Sequence, residues 1–115
     1  MTNIVVHLAS EYPNYEKRVQ LEELNLESKN LTGELNFTHL GFTNLKRLNL
    51  AKNKITQLIL PNPQQITHLN ISDNQISDLR FTKTLVENET GRMECFEFIN
   101  NPLPDDFKKK LLKSR

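Results

Sequence analysis

A chain of 115 residues has room for one domain with a core of modest thickness, and 15 basic against 14 acidic side chains leave a formal charge of +1. That balance provides no global field to draw in nucleic acid or an anionic membrane. One cysteine, Cys95, excludes an intrachain disulfide and points to a reducing, cytoplasmic setting, and no stretch approaches the roughly 18 to 20 apolar residues of a membrane-spanning helix.

The first ten residues (MTNIVVHLAS) lack a basic leader region, and their apolar run is short and broken by His7, so they do not read as a signal peptide. Ile4, Val5, Leu8 and Tyr12 recur at helical spacing, with Thr2 or Asn3 available as N-cap and Pro13 as stop. This predicts a capping helix over residues 3–12, within an N-terminal cap of residues 1–20. The sequons at Asn30, Asn36, Asn70 and Asn88 matter only in the secretory pathway and are given no weight.

From Leu21 onward one apolar frame repeats: Leu21-x-x-Leu24-x-Leu26, Leu45-x-x-Leu48-x-Leu50, Ile66-x-x-Leu69-x-Ile71 and Met93-x-x-Phe96-x-Phe98. The starts are separated by 24, 21 and 27 residues. The later copies add Asn53 with Ile55, Asn74 with Ile76 and Asn101 with Leu103, where the first has Lys29 and Leu31. These spacings and the asparagine slot identify leucine-rich repeats over residues 21–44, 45–65, 66–92 and 93–103.

In each copy the last two apolar residues lie two apart, so both point to one face of a short strand and the residue between them to the other. No single unit covers its own apolar face; stacking the units does. The fold expected is an α/β leucine-rich-repeat solenoid. It has a curved parallel sheet on the concave face, short turns or 3-10 segments on the convex face, and helical caps at both ends. An inward asparagine is able to satisfy the backbone groups of the turn out of the strand, so Asn53, Asn74 and Asn101 are read as structural. Lys29 is not buried in that role at low cost, so the first coil should be more exposed there.

Behind the strands the pairs Leu35/Phe37, Leu58/Leu60 and Leu79/Phe81 should line the convex side of the core. Pro61 and Pro63 argue against a long helix after the second copy, whereas Thr82 to Thr90 has the length for one or two helical turns. At the C-terminal side, residues 104–115 place Asp105 and Asp106 before Phe107 and Leu111, then end in basic residues. That order suits a capping helix. The alternative for Lys108, Lys109, Lys110, Lys113 and Arg115 is a basic contact to anionic surfaces.

The stretch KNLTGELNF followed by GFTNLKRLNLAKNKITQLIL resembles the short intracellular leucine-rich-repeat proteins abundant in symbiotic soil fungi. The match runs through Asn30, Leu31, Gly33, Leu35, Phe37, Phe42, Asn44, Leu45, Leu48, Asn53, Ile55 and Leu58, and Tyr12-Pro13 is similar to a pair that often precedes the first repeat in that family. The resemblance implies a curved parallel sheet with a concave binding face, often carried in larger proteins.

Function is expected at the non-leucine strand positions. One column across the sheet is Glu23, Arg47, His68 and Cys95; the next is Asn25, Asn49, Asn70 and Glu97; a flanking column is Glu27, Ala51, Ser72 and Ile99, with Lys52 and Asp73 further out. The partner-binding candidates are Glu23, Asn25, Glu27, Arg47, Asn49, Lys52, His68, Asn70, Asp73 and Glu97. The face has few aromatic or arginine anchors beyond Arg47. It suits a protein or an extended peptide, although the asparagine stripe also reads as simple surface solubility. A structural spacer, or a fragment of a larger leucine-rich-repeat protein with no partner of its own, is the other reading, and a monomer is expected.

His68 and Cys95 fall in neighbouring strands, about 4.8 Å apart. Such a pair is able to activate a thiolate, or to bind a metal with Glu97 or Asp73, but no oxyanion hole or substrate pocket accompanies it. His7 and His39 read as packing or surface residues. With three glycines and no phosphate-binding or zinc-protease motif, neither nucleotide chemistry nor catalysis is expected, nor any cofactor.

Overall fold

The computed structural model describes residues 2–37, 40–59, 66–77 and 94–103. The chain enters through a two-residue strand β1 (Thr2–Asn3) and helix α1 (Ile4–Glu11). Asn3 takes the N-cap, its Oδ1 accepting from Val5 N at 2.9 Å and Val6 N at 3.4 Å. Ile4 and Leu8, four apart on one face, are fully buried and dock α1 against the first coil. Tyr12 N donates to Leu8 O and Pro13 follows, which ends the helix.

A second helix, α2 (Tyr15–Gln20), is a feature the sequence reading does not contain. Its six residues are too few to display a period. The local signal is capping: Asn14 accepts from Glu16 N at 2.8 Å, with Glu16 in the first turn and Lys17 and Arg18 in the last. Arg18 is buried, its Nε donating to Tyr12 O at 2.6 Å and its Nη1 to Leu40 O at 3.0 Å. Its guanidinium also lies 4.6 Å from the Tyr15 ring centroid and 5.6 Å from that of Phe42. Carbonyl dipoles and π faces therefore hold this cation.

The concave sheet is built from β2 (Glu23–Asn25), β4 (Arg47–Asn49), β6 (His68–Asn70) and β7 (Cys95–Glu97), in the order β2-β4-β6-β7 and all parallel. Leu24, Leu48, Leu69 and Phe96 stand in register along it. Residues on either side continue the ladder, Leu26 N donating to Asn49 O, Leu50 N to Asn70 O and Ile71 N to Glu97 O, each at 2.8 Å. Alternation puts Leu24, Leu26, Leu48, Leu50, Leu69 and Ile71 wholly inside.

The convex side differs from expectation. In place of turns or 3-10 segments, β3 (Leu31–Asn36) and β5 (Lys54–Ile59) are strands, and with β1 they form a second parallel sheet in the order β1-β3-β5. The short repeats leave no length for a helix, and Leu31, Leu35, Ile55 and Leu58 bury themselves from an extended backbone. The register slips between Gly33 and Glu34, pairing Gly33 with Ile55 and Leu35 with Leu58. That bulge places Ile55 and Leu58, three apart, both inside. Leu35 and Phe37 lie in the core as their spacing suggests. Leu60, Pro61, Pro63, the pair Leu79/Phe81, the helical turns at Thr82 to Thr90 and the cap at 104–115 lie outside the described residues.

Gly33 has φ +96°, and a β-carbon built there would come within 2.5 Å of Asn3 Nδ2. Gly33→Ala is therefore expected to strain the bulge and push Asn3 off its capping position, at a cost of about 1–2 kcal/mol. Amide exchange at Val5 and Val6 should accelerate relative to the wild type, and unchanged exchange there would contradict the coupling between bulge and cap.

The asparagine column joins the coils. Asn53 Nδ2 donates to Leu50 O and Ala51 O of its own coil and to Leu26 O of the coil before, while Oδ1 accepts from Leu31 N and Lys29 N of that earlier coil. Asn74 repeats this with Ile71 O, Ser72 O, Leu50 O and Ile55 N, and Asn101 with Phe98 O, Ile99 O, Ile71 O and Ile76 N. Each is 5–6% exposed. Lys29 sits in the corresponding slot of the first coil, exposed, because α1 and β1 rather than another coil lie behind it.

Candidate functional site

The outward residues of the four concave strands enclose an open depression of about 220 Å3. Its rim and floor include Glu23, Asn25, Arg47, Asn49, His68, Asn70, Cys95 and Glu97. Strand register brings Glu23 beside Arg47, Arg47 beside His68, and His68 beside Cys95. Drug-sized ligands need roughly 300–1,000 Å3 of more enclosed space, so the site accommodates side chains better than a whole small molecule.

The asparagines of the neighbouring column each turn Oδ1 back onto the main chain. Asn25 accepts from Glu27 N, Asn49 from Ala51 N and Asn70 from Ser72 N, all at 3.0 Å. These local turns end the strands. Half of each amide is thereby committed to the fold, and the Nδ2 donors have no partner among the described residues.

The remaining candidates lie off this floor. Glu27 is exposed past the end of β2. Lys52 and Asp73 have φ of 60° and 59° and belong to a left-handed column with Ser28 and Asn100. Asp73 also accepts from Asn100 Nδ2 at 2.6 Å. In the flanking column, Ala51 and Ser72 are 3% and 6% exposed and not free to meet a partner, because coils on both sides close over them. Glu27 and Ile99, on the outer coils, remain open.

Sequence reading passed over Glu22, Lys46, Thr67 and Glu94, which occupy the first variable position of each Leu-x-x-Leu frame. Lys46 Nζ and Glu22 Oε1 pair at 2.9 Å. The hydrogen bond from Lys46, and then its charge, lower the Glu22 carboxyl below the ordinary glutamate value. A depressed carboxylate contributes its stabilisation above the unfolded-state value and loses it as pH falls through the folded-state one. Lys46→Ala should therefore raise the Glu22 titration midpoint toward that of a free glutamate, as read by carbon-detected NMR. An unmoved midpoint would remove the pair from the account.

His68 is engaged on both ring nitrogens, Nδ1 with Thr67 Oγ1 at 2.9 Å and Nε2 with Glu94 Oε2 at 3.6 Å. The Cys95 thiol faces Glu97 Oε1 at 4.0 Å. The two side chains are neighbours in register, yet neither imidazole nitrogen is bonded to sulfur. Among the described residues no three His, Cys, Asp or Glu side chains converge as metal ligands.

Two family models described as leucine-rich repeat match residues 44–66 and 63–79, spanning the second coil and much of the third. The asparagine ladder and in-register strands above are the three-dimensional form of that repeat. The chain is a leucine-rich-repeat protein.

An uncharacterized leucine-rich repeat-containing protein of Schizosaccharomyces pombe is 39% identical over 82 residues, covering 70% of this chain and 13% of that protein. Protein toll of Drosophila melanogaster is 32% identical over 91 residues, covering 78% of this chain and 8% of its own length. The chain thus spans a small part of the curated relatives it matches. No solved structure gives a significant match. Leucine-rich repeats generally mediate protein–protein interaction and are typically non-catalytic. No helix among the described residues is long and apolar enough to cross a membrane.

Proposed function

We propose that this leucine-rich-repeat chain is a non-catalytic, cytoplasmic and monomeric protein-binding module that receives an extended peptide or protein segment on the concave sheet. The observation that carries this reading is Arg47. It is exposed at the centre of the depression and its side chain makes no hydrogen bond or ion pair among the described residues, while the Lys46 side chain beside it is paired. Arginine is among the residue types that dominate binding energy at protein interfaces. The outward Nδ2 groups of Asn25, Asn49 and Asn70 supply donors alongside it.

Affinity capture from host lysate, wild type against Arg47→Glu, tests the site. Captured partners should fall at least about tenfold, as for an interface hot spot worth more than 1.4 kcal/mol, with an unchanged circular-dichroism melt. Capture that survives Arg47→Glu would remove the concave face as the site. The spacer reading is favoured by one observation, that matched relatives extend far beyond the aligned stretch. It expects no enriched partner for the wild type.

A further inference from the structure

Resting on the concave-face reading, the charges of the four strands specify the kind of peptide. Glu23, beside the Glu22–Lys46 pair, makes the β2 edge acidic; Arg47 makes the centre basic, next to His68; Glu94 and Glu97 make the β7 edge acidic again. Three strand spacings separate β2 from β7, about 14 Å, and an extended chain covers about 13.5 Å in four residues. Curvature of the sheet brings the side-chain tips slightly closer than the backbones. An extended peptide lying across the strands therefore sets side chains i and i+4 over the two acidic edges, with side chain i+2, on the same peptide face, over Arg47 and His68.

We propose that the concave sheet selects an extended peptide with an acidic side chain at its centre and a basic side chain two residues to either side. Because the pattern is symmetric about the acid, it is read in either chain direction. The opposite pattern, a central base between two acids, meets like charge at all three places.

The test is fluorescence anisotropy with two labelled peptides, K-A-D-A-K and D-A-K-A-D, each in Gly-Ser flanks. Exposed ion pairs contribute a few-fold each, so the wild type should prefer the first by about tenfold at low salt. The preference should fade by about 0.5 M salt, where screening acts within a few ångströms. The charge-swapped variant Glu23→Lys/Arg47→Glu/Glu97→Lys changes exposed residues only and should invert the preference. A wild type indifferent to the two peptides overturns the proposal, as does a variant with unaltered preference. If that occurs while lysate capture still depends on Arg47, the concave site stands and only its charge specificity fails; if capture is also indifferent to Arg47, both fail.

Discussion

Asn74→Leu is expected to lower stability by about 2–3 kcal/mol, because a buried backbone amide left unpaired costs about 1–3 kcal/mol and three carbonyls each lose one of their donors as well. Leucine matches asparagine in branching but offers nothing to Ile55 N, which Asn74 Oδ1 satisfies from a position 6% exposed. It also takes one of two donors from Leu50 O, Ile71 O and Ser72 O, which keep Asn53 Nδ2, Asn101 Nδ2 and Lys52 N respectively. Desolvation of those groups outweighs the added apolar burial, about 0.8 kcal/mol per methylene-sized increment. The effect falls where the second and third coils meet, and in a stacked-repeat fold an interface lost in the middle uncouples what lies on each side. Urea unfolding followed by far-UV circular dichroism should show either a large fall in midpoint or a broadened transition. A midpoint close to that of the wild type would mean that water enters the turn and that the ladder is not needed.

The second large effect is expected at Leu69→Ala. Leu69 is 1% exposed and stands between Leu48 and Phe96 in the inward row. Its truncation removes apolar contacts and leaves a cavity that the strands, pinned by main-chain hydrogen bonds on both sides, close only in part. Leucine-to-alanine changes of this kind cost about 2–5 kcal/mol. Leu69→Met, which nearly conserves volume, should cost less than about 1.5 kcal/mol. Comparable losses for the two variants would point to polarity or backbone effects in place of packing.

The inward row was legible in the sequence because its period is set by two simple rules, alternation along a strand and recurrence along the stack, and Leu24, Leu48, Leu69 and Phe96 obey both. The asparagine column was legible for the same reason. The strands β3 and β5 were not, because Leu31, Gly33 and Leu35 meet Ile55 and Leu58 only across a bulge, which breaks the even spacing that would have announced a second sheet. Nor was α2, whose six residues carry capping signals without a period.

At the site, Glu23, Asn25, Arg47, Asn49, His68, Asn70 and Glu97 follow directly from register once the strands are known, and all seven line the depression. What sequence could not supply is how side chains spend their polar atoms. The turn-forming bonds of the asparagines and the Thr67 contact of His68 depend on rotamers chosen among adjacent residues, and the Lys46–Glu22 and His68–Glu94 pairs on rotamers chosen between coils. The burial of Ala51 and Ser72 likewise follows from having coils on both sides.

The asparagine bonds also have a direction. Asn53, Asn74 and Asn101 each reach back to accept an amide proton from the coil made earlier. During synthesis, Leu31 N, Ile55 N and Ile76 N stay without their acceptors until the ribosome has produced 19 to 25 further residues. Nascent chains should thus acquire exchange protection stepwise, with each increment lagging its own amide by roughly one repeat length.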